Sequence, residues 1–214
     1  EFMILGAYVT YLVAGFFEAF LPALVPISFF VAVVLAFFAS GALGVAVEMS
    51  LIRFLYKRPL DTLLATWGLS LILQQTYRTI FGAREVGATL PSWMMGSLPL
   101  TDIIEIPING LIVMAITLLI TLGVYLVMFR SRLGAQTRAV VQNRTMAGAV
   151  GIDTEKVDRM TFGLGCGIAG VAGSAFTMIG STGPSAGQLY IVDTFLVVVF
   201  GGAASLLGTI ASAF

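Results

Sequence analysis

Residues 27–47 read ISFFVAVVLAFFASGALGVAV, an unbroken run with no charged side chain that closes on Glu48 and then Arg53. At 1.5 Å per residue a run of this length crosses the roughly 30 Å hydrocarbon layer of a bilayer. Its only small residues near the end are Ser40, Gly41 and Gly44, and no polar face interrupts it. Working outward, comparable runs cover about 3–17, 60–81, 108–129, 160–179 and 191–214. Hydrophobic residues make up 58% of the 214 positions and charged residues 10%, well below the roughly one quarter usual in soluble domains. The reading is an all-α polytopic transmembrane helical bundle of about six apolar segments, forming one domain over 1–214. The chain begins at Glu1 rather than Met and stops inside an apolar run, so a piece of a longer protein is expected, truncated at both ends.

Counting removes several chemistries. There is no histidine, which excludes a Ser/His/Asp triad and a His-ligated metal. Cys166 is the only cysteine and reads as a buried packing residue, so neither a disulfide nor a cysteine metal cluster is available. No cofactor is expected. A net charge of zero without a basic tail gives no nucleic-acid footprint. No G-x-x-x-x-G-K-[ST] loop is present, so any ATP-driven work needs another subunit, and the composition rules out an ordinary soluble enzyme.

Charge orients the segments. The connection at 51–61 carries Arg53, Lys57 and Arg58 against Asp61, and the stretch at 130–160 carries Arg130, Arg132, Arg138, Arg144, Lys156 and Arg159 against three acids. Between them, 82–107 has Arg84 against Glu85, Asp102 and Glu105. Counting spans puts the two basic stretches on one side and the acidic one on the other, and basic loops are retained in the cytoplasm. The 82–107 region, with Pro, Gly and Trp, is expected to be a loop with room for a short interfacial helix.

Four patterns within this frame are informative. Gly163, Gly167, Gly170 and Ser174 fall at helical spacing and form a smooth face for close helix packing. The overlapping G-x-G-x-x-G string at 165–170 lacks the strand a dinucleotide fold requires. Thr66, Ser70, Gln74 and Tyr77 recur at i, i+4, i+8 and i+11 as a polar stripe, which faces either other helices, as hydrogen-bonding glue, or the route of a small polar solute. The broken stretch 180–188, ending at Gln188, reads equally as an outer turn or as part of a substrate site, and Asp193 beyond it is costly if buried in hydrocarbon. Finally, 137–150 reads as one short cytoplasmic helix with Arg138, Gln142 and Thr145 at helical spacing, ended by Gly151 and followed by Ile152. Such a helix suits docking in a cleft of a soluble partner; a solvated connecting loop is the bland alternative.

The strings EFMILGAY (1–8), RPLDTLLAT (58–66), GLSLILQQ (68–75), RAVVQN (138–143), AGAVGI (147–152) and VDTFLVVVFGG (192–202) carry a resemblance. In order and along nearly the whole chain, they resemble the inner-membrane permease of the branched-chain amino-acid ABC importer family, and most closely its urea and short-chain amide branch. The resemblance implies a multi-pass protein of the bacterial inner membrane that works with a second, homologous permease subunit. Two cytoplasmic ATP-binding subunits and an external solute-binding protein complete such an importer. It also implies that 138–152 is the coupling segment, with Arg138, Asn143, Ala147, Gly151 and Ile152 on the matching positions. The expected cargo is a small polar solute: urea, an amide or a branched-chain amino acid. A passive channel for urea or another small neutral solute is the rival reading, and the docking-type helix is the feature that a channel does not need.

Overall fold

A computed structural model describes residues 1–20, 22, 25–55, 59–87, 94, 96–101, 104–202 and 206–213. Lys57, Arg58 and Asp102, which entered the charge count, lie outside the described residues. Helix α1 spans Phe2–Phe20 and α2 spans Val25–Val47; α2 continues through a π-helical turn, Glu48–Ile52, into Arg53–Leu55. Helix α3 is Pro59–Phe81, α4 is Ile108–Arg130, α5 is Arg132–Gln142, α6 is Arg144–Ala149 and α7 is Thr154–Phe176. Helices α8 (Ala186–Gly201) and α9 (Leu206–Ser212) close the chain. By length and composition, Phe2–Phe20, Val25–Leu55 and Ile108–Arg130 are long and apolar enough to cross a membrane. Helices α3 and α7 carry more polar residues within the same bundle, and α8 is apolar but shorter.

Boundaries follow local chemistry. Pro59 opens α3, where a missing N–H costs nothing, and Pro107, in extended conformation (φ −68°, ψ 132°), precedes α4. Helix α7 starts six residues before the apolar run because the Asp153 carboxylate accepts from the Lys156 amide (3.1 Å) and caps it. Two local expectations change. Among its described residues, the 82–107 connection carries an antiparallel hairpin where the sequence predicts only a loop, β1 (Ser97–Thr101) pairing β2 (Ile104–Pro107) with an irregularity between Pro99 and Thr101; residues 88–93 and 95, around the helical residue Met94, lie outside the described residues. Proline cannot donate to a ladder, and two prolines here favour a short, irregular pair. The sixth apolar run is likewise not one continuous helix. Gly202 takes φ +80°, a conformation that side chains resist, and α9 turns back so that Ser212 Oγ donates to the Val197 carbonyl (2.7 Å).

The centre of the bundle is a three-helix unit, α1, α2 and α7, whose backbones nearly touch. A Cβ built on Gly170 would lie 2.3 Å from Ser40 Oγ and 2.7 Å from the Ala36 carbonyl, and one on Gly6 would lie 1.9 Å from the Gly170 carbonyl. Gly167 faces the Phe37 ring, Gly163 faces Val45, and Gly173 faces the Met3 carbonyl. In hydrocarbon, apolar side chains gain little by leaving lipid, so close van der Waals approach across small residues is what holds helices together. A buried relay supplements it: Thr10 donates to Ser174 Oγ (2.8 Å), which donates to the Gly170 carbonyl (3.3 Å).

Outside this unit the surface is strongly apolar. Phe16, Phe20, Phe38, Leu64, Leu118 and Phe200 are all exposed, and α4 and α8 bury no residue at all. In water such a surface would aggregate; against acyl chains it is at equilibrium. The contrast between glycines is testable. Gly170→Ala is expected to destabilise the purified protein in detergent by about 1–3 kcal/mol through overpacking. Gly123→Ala, with nothing within 4 Å of the new methyl, is expected to be neutral or slightly stabilising. Thermal unfolding of the two variants side by side checks the assignment.

Candidate functional site

Helices α3 and α8 stand off from the central unit and leave a cavity of about 690 Å³ between themselves, α1, α2 and α7. Its wall runs from Gln188, in the first turn of α8, to Val47 and Ile52 at the end of α2, so it extends through much of the depth of the bundle. Polar groups on the wall come from Glu1, Thr66, Ser70, Gln188, Tyr190 and Thr194; Trp67 and Leu73 are among the apolar ones.

The polar stripe of α3 divides. Thr66 and Ser70 line the cavity. Ser70 Oγ (3.0 Å) and Gln74 Nε2 (2.7 Å) both donate to Glu1 Oε1, while Thr66 bonds back to the Leu63 carbonyl (3.0 Å). Tyr77 is not on the wall. It is 4% exposed, its ring 5.6 Å from that of Tyr8, which in turn stacks on Phe81 at 4.1 Å. Its hydroxyl donates to the Glu1 carbonyl (3.4 Å). The division has a simple cause: 11 residues from Thr66 the stripe has passed the end of the cavity and entered the aromatic cluster of Ile4, Tyr8 and Tyr77. Gln188 lines the wall, whereas Asp193 is exposed on α8 and does not. The first part of the 180–188 stretch, 180–185, is a turn pinned to the 82–107 connection, for Val86 and Thr182 exchange both backbone hydrogen bonds (2.9 and 2.8 Å) and Ser181 donates to Glu85, while 186–188 open α8.

At the opposite end, the two basic stretches meet. Arg159 of α7 approaches Glu48 at 3.6 Å, and Glu48 is 1% exposed; Arg53 lies 3.9 Å from Glu155. The single helix expected over 137–150 is instead two, α5 and α6, separated by Asn143. Asn143 breaks them: it takes φ −156°, ψ 99°, and its side chain accepts from the Met146 amide (3.0 Å) as the N-cap of α6. Asparagine competes for backbone donors and favours caps over helix interiors.

Helix α6 ends in a glycine-centred C-cap. Gly151 has φ +85° and donates to the Gly148 carbonyl (3.0 Å), while Ile152 donates to the Ala147 carbonyl (3.0 Å), the paired bonds of a Schellman turn. Ala147 packs with Val140 and Val157, and Ile152 against them. Arg138 folds back: its guanidinium donates to the Met128 carbonyl and stands 5.5 Å from the Phe129 ring centroid, satisfying the C-terminal end of α4. Arg144 pairs with Asp158 at 2.7 Å, tying α6 to α7. Three apolar side chains of this segment stay uncovered: Val141 (82% exposed), Met146 (65%) and Val150 (77%). Among the described residues no cluster of His, Cys, Asp and Glu suits a metal ion.

The whole chain, residues 1–214, matches the family described as the branched-chain amino acid transport system / permease component. The chain belongs to that family. It is a multi-pass protein of the inner membrane. It is 26% identical over 217 residues to the high-affinity branched-chain amino acid transport system permease protein BraD of Pseudomonas aeruginosa, covering 97% of this chain and 69% of that one. It is 29% identical over 160 residues to LivH of Salmonella typhimurium, covering 71% and 50%. Against the probable branched-chain amino acid transport permease protein LivH of Methanocaldococcus jannaschii, identity is 30% over 95 residues, 44% of this chain and 30% of the relative. The chain thus spans from about a third to about two thirds of the length of these relatives. No solved structure matches it.

The residues that sequence reasoning missed are Glu1, noted only as the first residue and within the string at 1–8, and the exposed trio Val141, Met146 and Val150. A carboxylate opening an apolar run is a signal for the first; apolar residues in an otherwise polar loop are a signal for the second. The Asn143 cap is expected to contribute about 1 kcal/mol to α6. Asn143→Ala is therefore expected to speed amide exchange at 144–149 several-fold while leaving α7 unchanged, read by hydrogen–deuterium exchange.

Proposed function

We propose that this permease carries a small polar solute through the cavity between α3, α8 and the central unit, as one subunit of an ATP-driven importer. The observation that carries the reading is the α5–α6 segment at the basic, cytoplasmic end. It is compact, capped at both ends of α6, and presents Val141, Met146 and Val150 outward at the end that the basic residues assign to the cytoplasm. A partner protein that covers this patch gains the burial of three apolar side chains. Its movement passes to α7 through the Arg144–Asp158 pair and the Val140/Ala147/Val157 cluster, and from α7 to α2 through Arg159–Glu48. Arg138, Asn143, Ala147, Gly151 and Ile152 shape the segment in this scheme, whereas the exposed trio touches the partner.

The partners are two cytoplasmic ATP-binding subunits, with a second, homologous permease completing the bundle and an external binding protein delivering solute. The substrate is urea, a short amide or a branched-chain amino acid; the relatives' names support the last and the sequence strings the first two. The chain supplies the path and no covalent chemistry. A passive channel would use the same cavity but would give the exposed trio no purpose.

The test uses the full-length protein with its partners in proteoliposomes. Met146→Glu combined with Val150→Glu is expected to cut ATP-dependent uptake at least about tenfold, since burying either charge in the docking surface costs more than 1.4 kcal/mol. Thermal stability of the permease is expected to be unchanged, because both side chains face outward. Uptake that proceeds at the wild-type rate in the double variant, or that ignores ATP, overturns the importer reading.

A further inference from the structure

We propose that the Glu1 carboxylate is the group that reads the solute, and that the solute it reads is neutral or zwitterionic and presents a nitrogen-bound hydrogen. The inference rests on the transport reading above and deepens it. Ser70 lies near the middle of α3, so the Ser70–Glu1 contact places the carboxylate near mid-depth in the bundle. Glu1 is the one charged residue among the described residues of the cavity wall.

Its two oxygens are used unequally. Oε1 accepts from both Ser70 (3.0 Å) and Gln74 (2.7 Å). Oε2 is buried and has no hydrogen-bond partner among the described residues. An ionised carboxylate oxygen left without a donor in an apolar surrounding is costly, so an absent donor is the missing element of this cluster. A carboxylate can only accept, and it repels a second anion. Urea, primary amides and the ammonium of an amino acid each offer N–H donors; a free carboxylic acid anion offers none. Ser70 and Gln74 are positioning residues here: by holding Oε1 they leave Oε2 as the oxygen in need. Because Oε2 sits behind the wall in this conformation, a turn about the side-chain bonds of Glu1 is needed to bring it to the solute.

The experiment uses the complete importer in proteoliposomes, with labelled urea, acetamide and leucine as probes, each measured with and without ATP. Glu1→Gln keeps the size and one acceptor oxygen for Ser70 and Gln74, but sets an N–H₂ donor where Oε2 stood. It is expected to lower the flux of the transported probe at least about tenfold with an unchanged unfolding midpoint, since a charge-assisted hydrogen bond exceeds 1.4 kcal/mol. A folded Glu1→Gln protein that transports at the wild-type rate overturns the proposal and leaves Glu1 as a tie between α1 and α3. If that variant does not fold, Glu1→Asp decides: a rise in KM of about fivefold or more with the maximal rate retained supports it, and a smaller change overturns it. A wild-type flux that ignores ATP defeats the importer reading alone, and the ratio of Glu1→Gln to wild type is then read on that flux. A wild-type protein that moves none of the three probes overturns the assignment of a nitrogen-bearing solute.

Discussion

Helices in a bilayer have no water to escape, and the approach of bare backbone to bare backbone along α1, α2 and α7 is what the rest of this molecule depends on. Where Gly6 meets Gly170 and Gly44 meets Cys166, there is no room for one added carbon. That contact fixes the relative height of the three helices, and the height decides which polar groups meet. It sets Thr10 against Ser174, brings Phe2 under Ser40, and carries Glu1 to the level of Ser70 and Gln74. It also sets Glu48 opposite Arg159 at the basic end, where breaking the pair would strand a buried charge.

Much of this was legible in the letters, for a reason specific to membranes. Hydrocarbon demands that every backbone group be satisfied within its own segment, so long apolar runs such as 27–47 and 108–129 leave the chain no alternative to helix. The seam along Gly163, Gly167 and Gly170 was legible as a periodicity. Its partners were not, because nothing in the spacing says that Phe37, Ser40 and Val45 stand opposite. The break at Asn143 was hidden by good helix formers on either side, and the return of α9 by the apolar continuity of 191–214. In each case one residue with an unusual backbone, Asn143 or Gly202, outweighed the average of its neighbours.

The candidate site was legible in outline only. Four residues at helical spacing predicted a polar face on α3, but a face is not a wall. Where the cavity stops depends on Tyr8 of α1, which tilts against Tyr77 and stacks on Phe81, so that this turn of α3 is filled by aromatic rings. The position of Glu1 is a tertiary fact of the same kind. Its carboxylate is a surface group in sequence and an internal one in space, because α3 lies across it.

The π-helical turn at Glu48–Ile52 carries a mechanical consequence. One residue beyond the regular winding advances the side chains after it by about 100° around the axis. In a regular helix Val47 and Ile52, five residues apart, would stand about 140° from each other around the axis; the wider turn lets both reach the cavity wall, while the part of α2 before it presents its small residues to the glycine seam. The buried Glu48, at the first position of that turn and paired to Arg159 of α7, makes one turn of α2 serve two contacts at once, the ion pair at the basic end and, through Ile52, the cavity wall.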